Sequence, residues 1–208
     1  MKQWLENFWY HNKIKFFAVV FTLVLFTVCI AQCARATNYD YKIVVYLNNT
    51  ALSDSQLEPV RNYFAKYGQD LNGDGQVNVG TINCTYYKGG DPNYAISVKQ
   101  KLTITAMGDP KAILYVTDKD SFADVDKVKE DVGGFFLNKN LGEQNGKAYS
   151  LENSEVYAYF YDNPAIQING LYLSERIVSG TVIEEDKKID KYVSSSETML
   201  ENIIKSGK

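Results

Sequence analysis

Ile43-Val44-Val45-Tyr46-Leu47 decides how the folded part of this chain is read. Five consecutive apolar residues, three of them β-branched, with polar sequence on either side, describe a strand covered on both faces. Downstream, Ser53-Asp54-Ser55-Gln56 has the form of a capping box. Leu57, Val60, Phe64 and Tyr67 then recur at helical spacing up to Gly68. Val77, Val79 and Thr81, followed by Ile82, Cys84 and Tyr86, alternate as a second strand. Asp91-Pro92 supplies the cap and first-turn proline of a second helix, whose buried face is Ala95, Val98, Leu102 and Ala106. Gly108 and Pro110 end it, and Ala112-Ile113-Leu114-Tyr115-Val116-Thr117 is a third buried strand. Strand, helix, strand, helix, strand predicts an α/β domain of three layers with a mostly parallel sheet and right-handed crossovers.

Beyond Asp118 the pattern weakens. Ser121 to Glu130 reads as a short helix, Gly133 to Leu137 as a turn and docking segment, and 138 to 150 as a polar loop. Val156 to Tyr161, aromatic and β-branched, is expected as a strand. Asn169-Gly170 predicts a hairpin joining 165–168 to 171–178, an antiparallel addition to the sheet. Met199, Ile203 and Ile204 suggest a closing helix before Lys205.

Upstream of the domain, Phe16 to Ala34 is apolar except for its threonines and Gln32. At 1.5 Å per residue this run reaches ~28 Å, about the hydrocarbon thickness of a bilayer. Lys2, Lys13 and Lys15 precede it, so the Lys/Arg bias predicts a cytoplasmic N-terminus, and Trp4, Phe8, Trp9 and Tyr10 suit the headgroup layer. The expected organisation is a cytoplasmic leader (1–13), a transmembrane helix (14–35), a linker (36–41) and an extracytoplasmic domain (42–205). The competing reading is a signal peptide cleaved after Ala34-Arg35-Ala36; the length of the run and its long aromatic leader favour a retained single-pass anchor in the cell membrane.

Residues 37–208 carry 18 bases and 24 acids, a net charge of −6. Such a domain is expected to hold no nucleic acid and to make no electrostatic grip on lipid. Two of the three cysteines, Cys29 and Cys33, lie in the apolar run; Cys84 alone is outside, so no disulfide forms within the domain.

The sharpest motif is Asp70-Leu71-Asn72-Gly73-Asp74-Gly75-Gln76-Val77-Asn78. Oxygen donors at Asp70, Asn72, Asp74 and Gln76 stand in the order of a calcium loop, with a glycine for the sharp turn. The loop is similar to the first nine residues of an EF-hand or dockerin loop, but Thr81 stands where the closing carboxylate belongs. Two readings stay open: a structural Ca2+ site completed by a remote acid, or a turn built from Asn, Asp and Gly for their backbone tolerance.

In an open α/β sheet, ligands bind outside the carboxyl ends of strands where strand order reverses. That rule nominates Asn48, Asn49 and Thr50, then Tyr87 and Lys88, and Thr117 and Asp118, for a small polar ligand. The competing reading is ordinary polar loop. Catalysis is not expected. The single histidine, His11, precedes the apolar run, and no Gly-x-Ser-x-Gly, Walker or His-Glu-x-x-His motif occurs.

Two resemblances follow from these residues. The layout from strand 43–47 to strand 112–117, with Met107-Gly108-Asp109-Pro110-Lys111 before the third strand, resembles the first lobe of a type 2 periplasmic solute-binding protein. About 90 residues follow Thr117, too few for a second lobe and its hinge strands. The aromatic leader Phe8-Trp9-Tyr10, the single span and the Tyr67–Val77 segment also resemble uncharacterised membrane-anchored proteins of Gram-positive bacteria. Together they imply a tethered, non-catalytic binding or sensing domain. The alternative is an interaction module of the cell envelope whose partner is another envelope protein.

Overall fold

The computed structural model describes residues 2–35 and 38–207; Ala36 and Thr37 of the expected linker lie outside the described residues. The chain divides into two compact units, Met1–Asn38 and Tyr39–Lys208.

The first unit is one helix, α1 (Lys2–Arg35). Its stretch Asn12–Cys29 has a mean hydropathy of 1.8 and is long and apolar enough to cross a membrane. Thr22 and Thr27, the threonines within that stretch, donate their hydroxyls to Ala18 O and Leu23 O at 2.8 Å, which lowers the cost of placing them in hydrocarbon. Trp9 packs against Phe16 and Phe17 near the start of the run.

The second unit is an α/β domain on a six-stranded mixed sheet. Its strands are β1 (Tyr41–Leu47), β2 (Asn49–Thr50), β3 (Val79–Tyr87), β4 (Leu114–Thr117), β5 (Ala148–Ser150) and β6 (Tyr172–Glu175), in the order β2-β3-β1-β4-β6-β5. β1 is central and parallel to both β3 and β4, with Tyr41 opposite Val79 and Tyr46 opposite Thr117. The other pairings are antiparallel. The expected parallel sheet is thus a three-strand core, and the expected antiparallel addition is β5 and β6.

Helices α2 (Glu58–Ala65), α3 (Pro92–Lys101), α4 (Lys119–Asp126), α5 (Glu155–Tyr161) and α6 (Ile189–Ser206) cover the sheet. The period of two along β1 sorts them. Ile43, Val45 and Leu47 pack with Val60 and Phe64 of α2, Val156 and Phe160 of α5, and Met199, Leu200 and Ile203 of α6. Val44 and Tyr46 face the other way, toward Val98 of α3, Phe122 and Val125 of α4, and the Phe135–Phe136 pair. That gives the three layers. Gln56 accepts the Ser53 backbone N–H at 2.9 Å, and Asp91 accepts from Asn93, so both expected caps form. α3 continues through a π turn, Leu102–Ala106, where Met107 N–H donates to Leu102 O at 3.0 Å; this keeps both Leu102 and Ala106 in the core.

Three expectations fail in the second half. Val156 to Tyr161 is helix α5, because Ser154 caps it by accepting from Tyr157 N and because Val156 and Phe160, four apart, are its buried pair. No hairpin forms across Asn169-Gly170: Gly170 turns the chain at φ +72°, but Tyr172–Glu175 pairs with β4 and β5 instead of with 165–168. β4, already paired with β1, offers a free edge of an existing sheet, whereas an isolated two-stranded ribbon is marginal. The 138–150 loop also contributes β5. Gly68 serves close packing: an added Cβ would lie 2.8 Å from Met199 Cε and 2.9 Å from Val77 Cγ1.

Candidate functional site

The chain runs from β1 through α2 to β3 on one side, and from β3 through α3 to β4 on the other side of β1. Strand order therefore reverses between β1 and β4, and their carboxyl ends, Asn48 and Asp118, flank that point. The helix that follows, α4, starts there. Asp118 is its N-cap and accepts the Ser121 backbone N–H at 2.8 Å. Ser121 Oγ in turn accepts the Asn48 backbone N–H at 2.9 Å, and Asn48 Nδ2 donates to Asp124 at 3.0 Å. Asn48, Thr117, Asp118 and Ser121 are all buried.

Three side-chain oxygens in this cluster, Asn48 Oδ1, Thr117 Oγ1 and Asp118 Oδ2, are buried without a hydrogen-bond partner among the described residues. Each unmet group costs about 1–3 kcal/mol. Burial pushes the Asp118 carboxyl above the usual carboxylate range; Ser121 hydrogen bonds oppose this, and the nearby Asp120 and Asp124 charges add to it. A raised carboxyl pKa means that the folded state disfavours the ion, so Asp118 subtracts stability as pH rises from its unfolded pKa toward its folded one.

Beside the cluster lies an open depression of about 360 Å3 lined by Asn49, Tyr161, Ile166, Gln167, Ile168 and Asn169. Asn49 Nδ2 reaches Asp120 at 3.4 Å, and the Asn169 carbonyl accepts Lys119 N–H at 3.2 Å, so both walls are tied to the start of α4. Its volume falls within the range of small-molecule pockets, and three amides beside two isoleucines suit a polar ligand with an apolar part.

Of the nominated residues, the structure brings together Asn48, Thr117 and Asp118, with Asn49 adjoining. Thr50 is buried on β2 opposite Tyr86. Tyr87 and Lys88 are exposed at the far end of β3, where Lys88 joins only through its backbone N–H to Asn48 O at 2.8 Å. Ser121 and Asp124 join the cluster without having been nominated for it, although Asp118 followed three residues later by Ser121 directly after a strand is a cap signal. Gln167 and Asn169 were not nominated either, since the hairpin expectation places them in a strand and its turn.

The Asp70–Asn78 loop is held from below by a residue the sequence reading passed over. Buried Asp40 accepts N–H bonds from Leu71 and Asn72 at 3.0 Å and from Asn78 at 2.7 Å. Within the loop, Asp70 accepts from Asn72, Gly73 and Gly75, Asn72 Oδ1 from Asp74, and Asp74 from Gln76. The Gly75 and Gly73 bonds hold the exposed Asp70 carboxyl below its ordinary pKa. Gly73 and Gly75 adopt φ of +81° and +83°, which glycine alone takes without strain. Among the described residues, no three Asp, Glu, His or Cys side chains gather to hold a metal. Cys84 is a core residue, its thiol pushed by burial to about 11.

No protein family, curated protein or solved structure matches the chain.

Proposed function

We propose that this chain is a non-catalytic, membrane-tethered binding or sensing domain whose ligand site is the carboxyl end of β1 and β4. The observation that carries the reading is the set of unpartnered buried oxygens on Asn48, Thr117 and Asp118 beside an amide-lined depression. A fold has no stake in keeping three such oxygens unmet at one place; a ligand or its ordered waters would meet them. The tether is α1, with the domain on the outer face of the cell membrane as the Lys/Arg distribution suggests. The resemblances to solute-binding lobes and to anchored proteins of Gram-positive bacteria support the same reading from sequence alone.

Calcium at Asp70, Asn72, Asp74 and Gln76 is the second part of this proposal. The loop's curl needs no cation, since Asp40 and its own turns hold it, and its two carboxylates without a third suit a weak site, with Kd on the order of 10^-3 M. Thermal unfolding of the full chain in detergent, scanned against amino acids, sugars, short peptides and calcium chloride, tests both parts. A polar solute that raises the midpoint in the wild type and not in Asn49→Ala is expected. Calcium is expected to raise it only at millimolar concentration, and less in Asp74→Ala.

A second reading has its own observation. Ile96 and Ile104 are 55 % and 75 % exposed on the outer side of α3 and its π turn, a feature of an envelope interaction module. A scan in which no solute stabilises the protein would favour it.

A further inference from the structure

A second cleft, away from the strand ends, opens between α2, the first turn of α5 and the last turn of α6. It encloses about 210 Å3, and its floor is buried Leu151 and Ile203. Three phenol rings line it: Tyr63 on α2, Tyr67 in the turn that follows that helix, and Tyr149 on β5. The Tyr63 and Tyr67 rings lie 5.1 Å apart at 63°, so two aromatic planes form a corner. Glu155 stands at the rim, and Ser206 and Gly207, where α6 ends, close the far side.

Three features of the cleft favour positive charge by separate physics. Aromatic faces carry a negative quadrupole that attracts ammonium groups. The 18-residue α6 presents the negative end of its dipole at Ser206 and Gly207. Glu155 contributes a carboxylate, which also offsets the positive end of the short α5. The protein's own cation here is Lys66, paired with Glu155 at 2.5 Å, but that pair is largely exposed, at 51 % and 74 % of the two side chains. It is therefore screened and replaceable. Burial raises the Tyr63 pKa, with Tyr67, Tyr149 and Glu155 adding, so its phenol stays neutral.

We propose that the cleft of Tyr63, Tyr67, Tyr149 and Glu155 binds a small organic cation, a methylated ammonium group of choline type. The size, the apolar floor and the angled rings suit a compact, weakly hydrated cation better than a metal ion, for which two carboxylates or more would be needed. Recognition is by the rings and the helix end, with Glu155 setting the dependence on salt.

The test is calorimetric titration of the full chain, in a maltoside detergent, with choline, with its neutral carbon isostere 3,3-dimethylbutan-1-ol, and with glycerophosphocholine. Choline is expected to bind with Kd of about 1 mM, and the isostere at least about tenfold more weakly, because only the cation meets the rings' quadrupole. Glycerophosphocholine binding as well as choline would identify a lipid headgroup as the source, and choline alone a free solute. Tyr67→Leu keeps the bulk and removes the ring face, and is expected to weaken choline about fivefold or more; Tyr67→Phe keeps the face and is expected to bind as wild type. Glu155→Gln is expected to weaken binding about threefold at low salt. Equal binding of choline and the isostere, no heat at about 50 mM choline, or unchanged binding by a folded Tyr67→Leu would overturn the proposal.

Discussion

Replacing Lys139 by Met lowers the stability of the domain by about 3–5 kcal/mol, because it leaves a buried carboxylate without its cation. Glu175, at the end of β6, is 1 % exposed. Lys139 Nζ lies 2.9 Å from Glu175 Oε2, off the line of a well-directed hydrogen bond, and 2.5 Å from Glu197 Oε1 on α6. Burial raises the Glu175 pKa, and the Lys139 contacts only partly offset it. For Lys139, burial works against the charge, but Glu197 and Glu175 together raise its pKa. Methionine keeps most of the stem's packing and removes the charge, so the loss reports the orphaned Glu175. Urea unfolding of the full chain in detergent is expected to show the drop, seen thermally as about 2–4 °C per kcal/mol for a domain of this size. Lys139→Met combined with Glu175→Leu is expected to recover most of it, since an apolar pair of similar volume avoids desolvation altogether. A single variant within about 1 kcal/mol of wild type would show the triad to be solvated.

Asp40→Ala is the second large effect. Its carboxylate collects the N–H groups of Leu71, Asn72 and Asn78, and its own N–H donates to Asn78 O at 2.8 Å. Hydrogen bonds to a charged acceptor contribute about 1.5–3 kcal/mol each when buried, and water regains part of that at this half-open loop, so about 2–4 kcal/mol is expected. The loss is local as well as global. Protease cleavage between 70 and 78 should become fast relative to wild type, while the rest of the domain keeps its protection. Unchanged cleavage would mean that the loop's internal turns suffice alone.

Continuous apolar strands and capped helices made the first half of the domain legible. Ile43–Leu47 and Ala112–Thr117 read as covered strands, the second forming over Leu114–Thr117 with Ala112 and Ile113 buried just before it, and Ser53–Gln56 and Asp91-Pro92 mark the helices between them. The second half was less legible because its cues compete. Val156–Tyr161 has the composition of a strand and the spacing of a helix, and the Ser154 cap decides for the helix. Tyr172–Glu175 lies beside a good turn, yet its partner is β4, more than fifty residues earlier in the chain, a pairing that local pattern does not encode. The site was half legible for the same reason. Strand ends named Asn48, Thr117 and Asp118, and Ser121 follows Asp118 by a local cap, but Asp124 and Gln167 reach the site only through the tertiary fold, and Asp40 holds its loop from 30 residues away.

On the proposed reading, the mouth of the sheet keeps a buried carboxylate for a ligand at the expense of stability. Thermal unfolding of Asp118→Asn beside wild type, in the absence of ligand, at pH 7 and at about pH 2.5, distinguishes such a carboxylate from one that the fold satisfies. Asparagine keeps the acceptor that caps Ser121 and removes the buried charge. The variant is expected to be more stable than wild type by about 1 kcal/mol at pH 7, and the difference should vanish at low pH, where Asp118 is neutral in both folded and unfolded chains. A variant less stable than wild type at pH 7 would mean that the carboxylate is a satisfied part of the fold, and would contradict the claim.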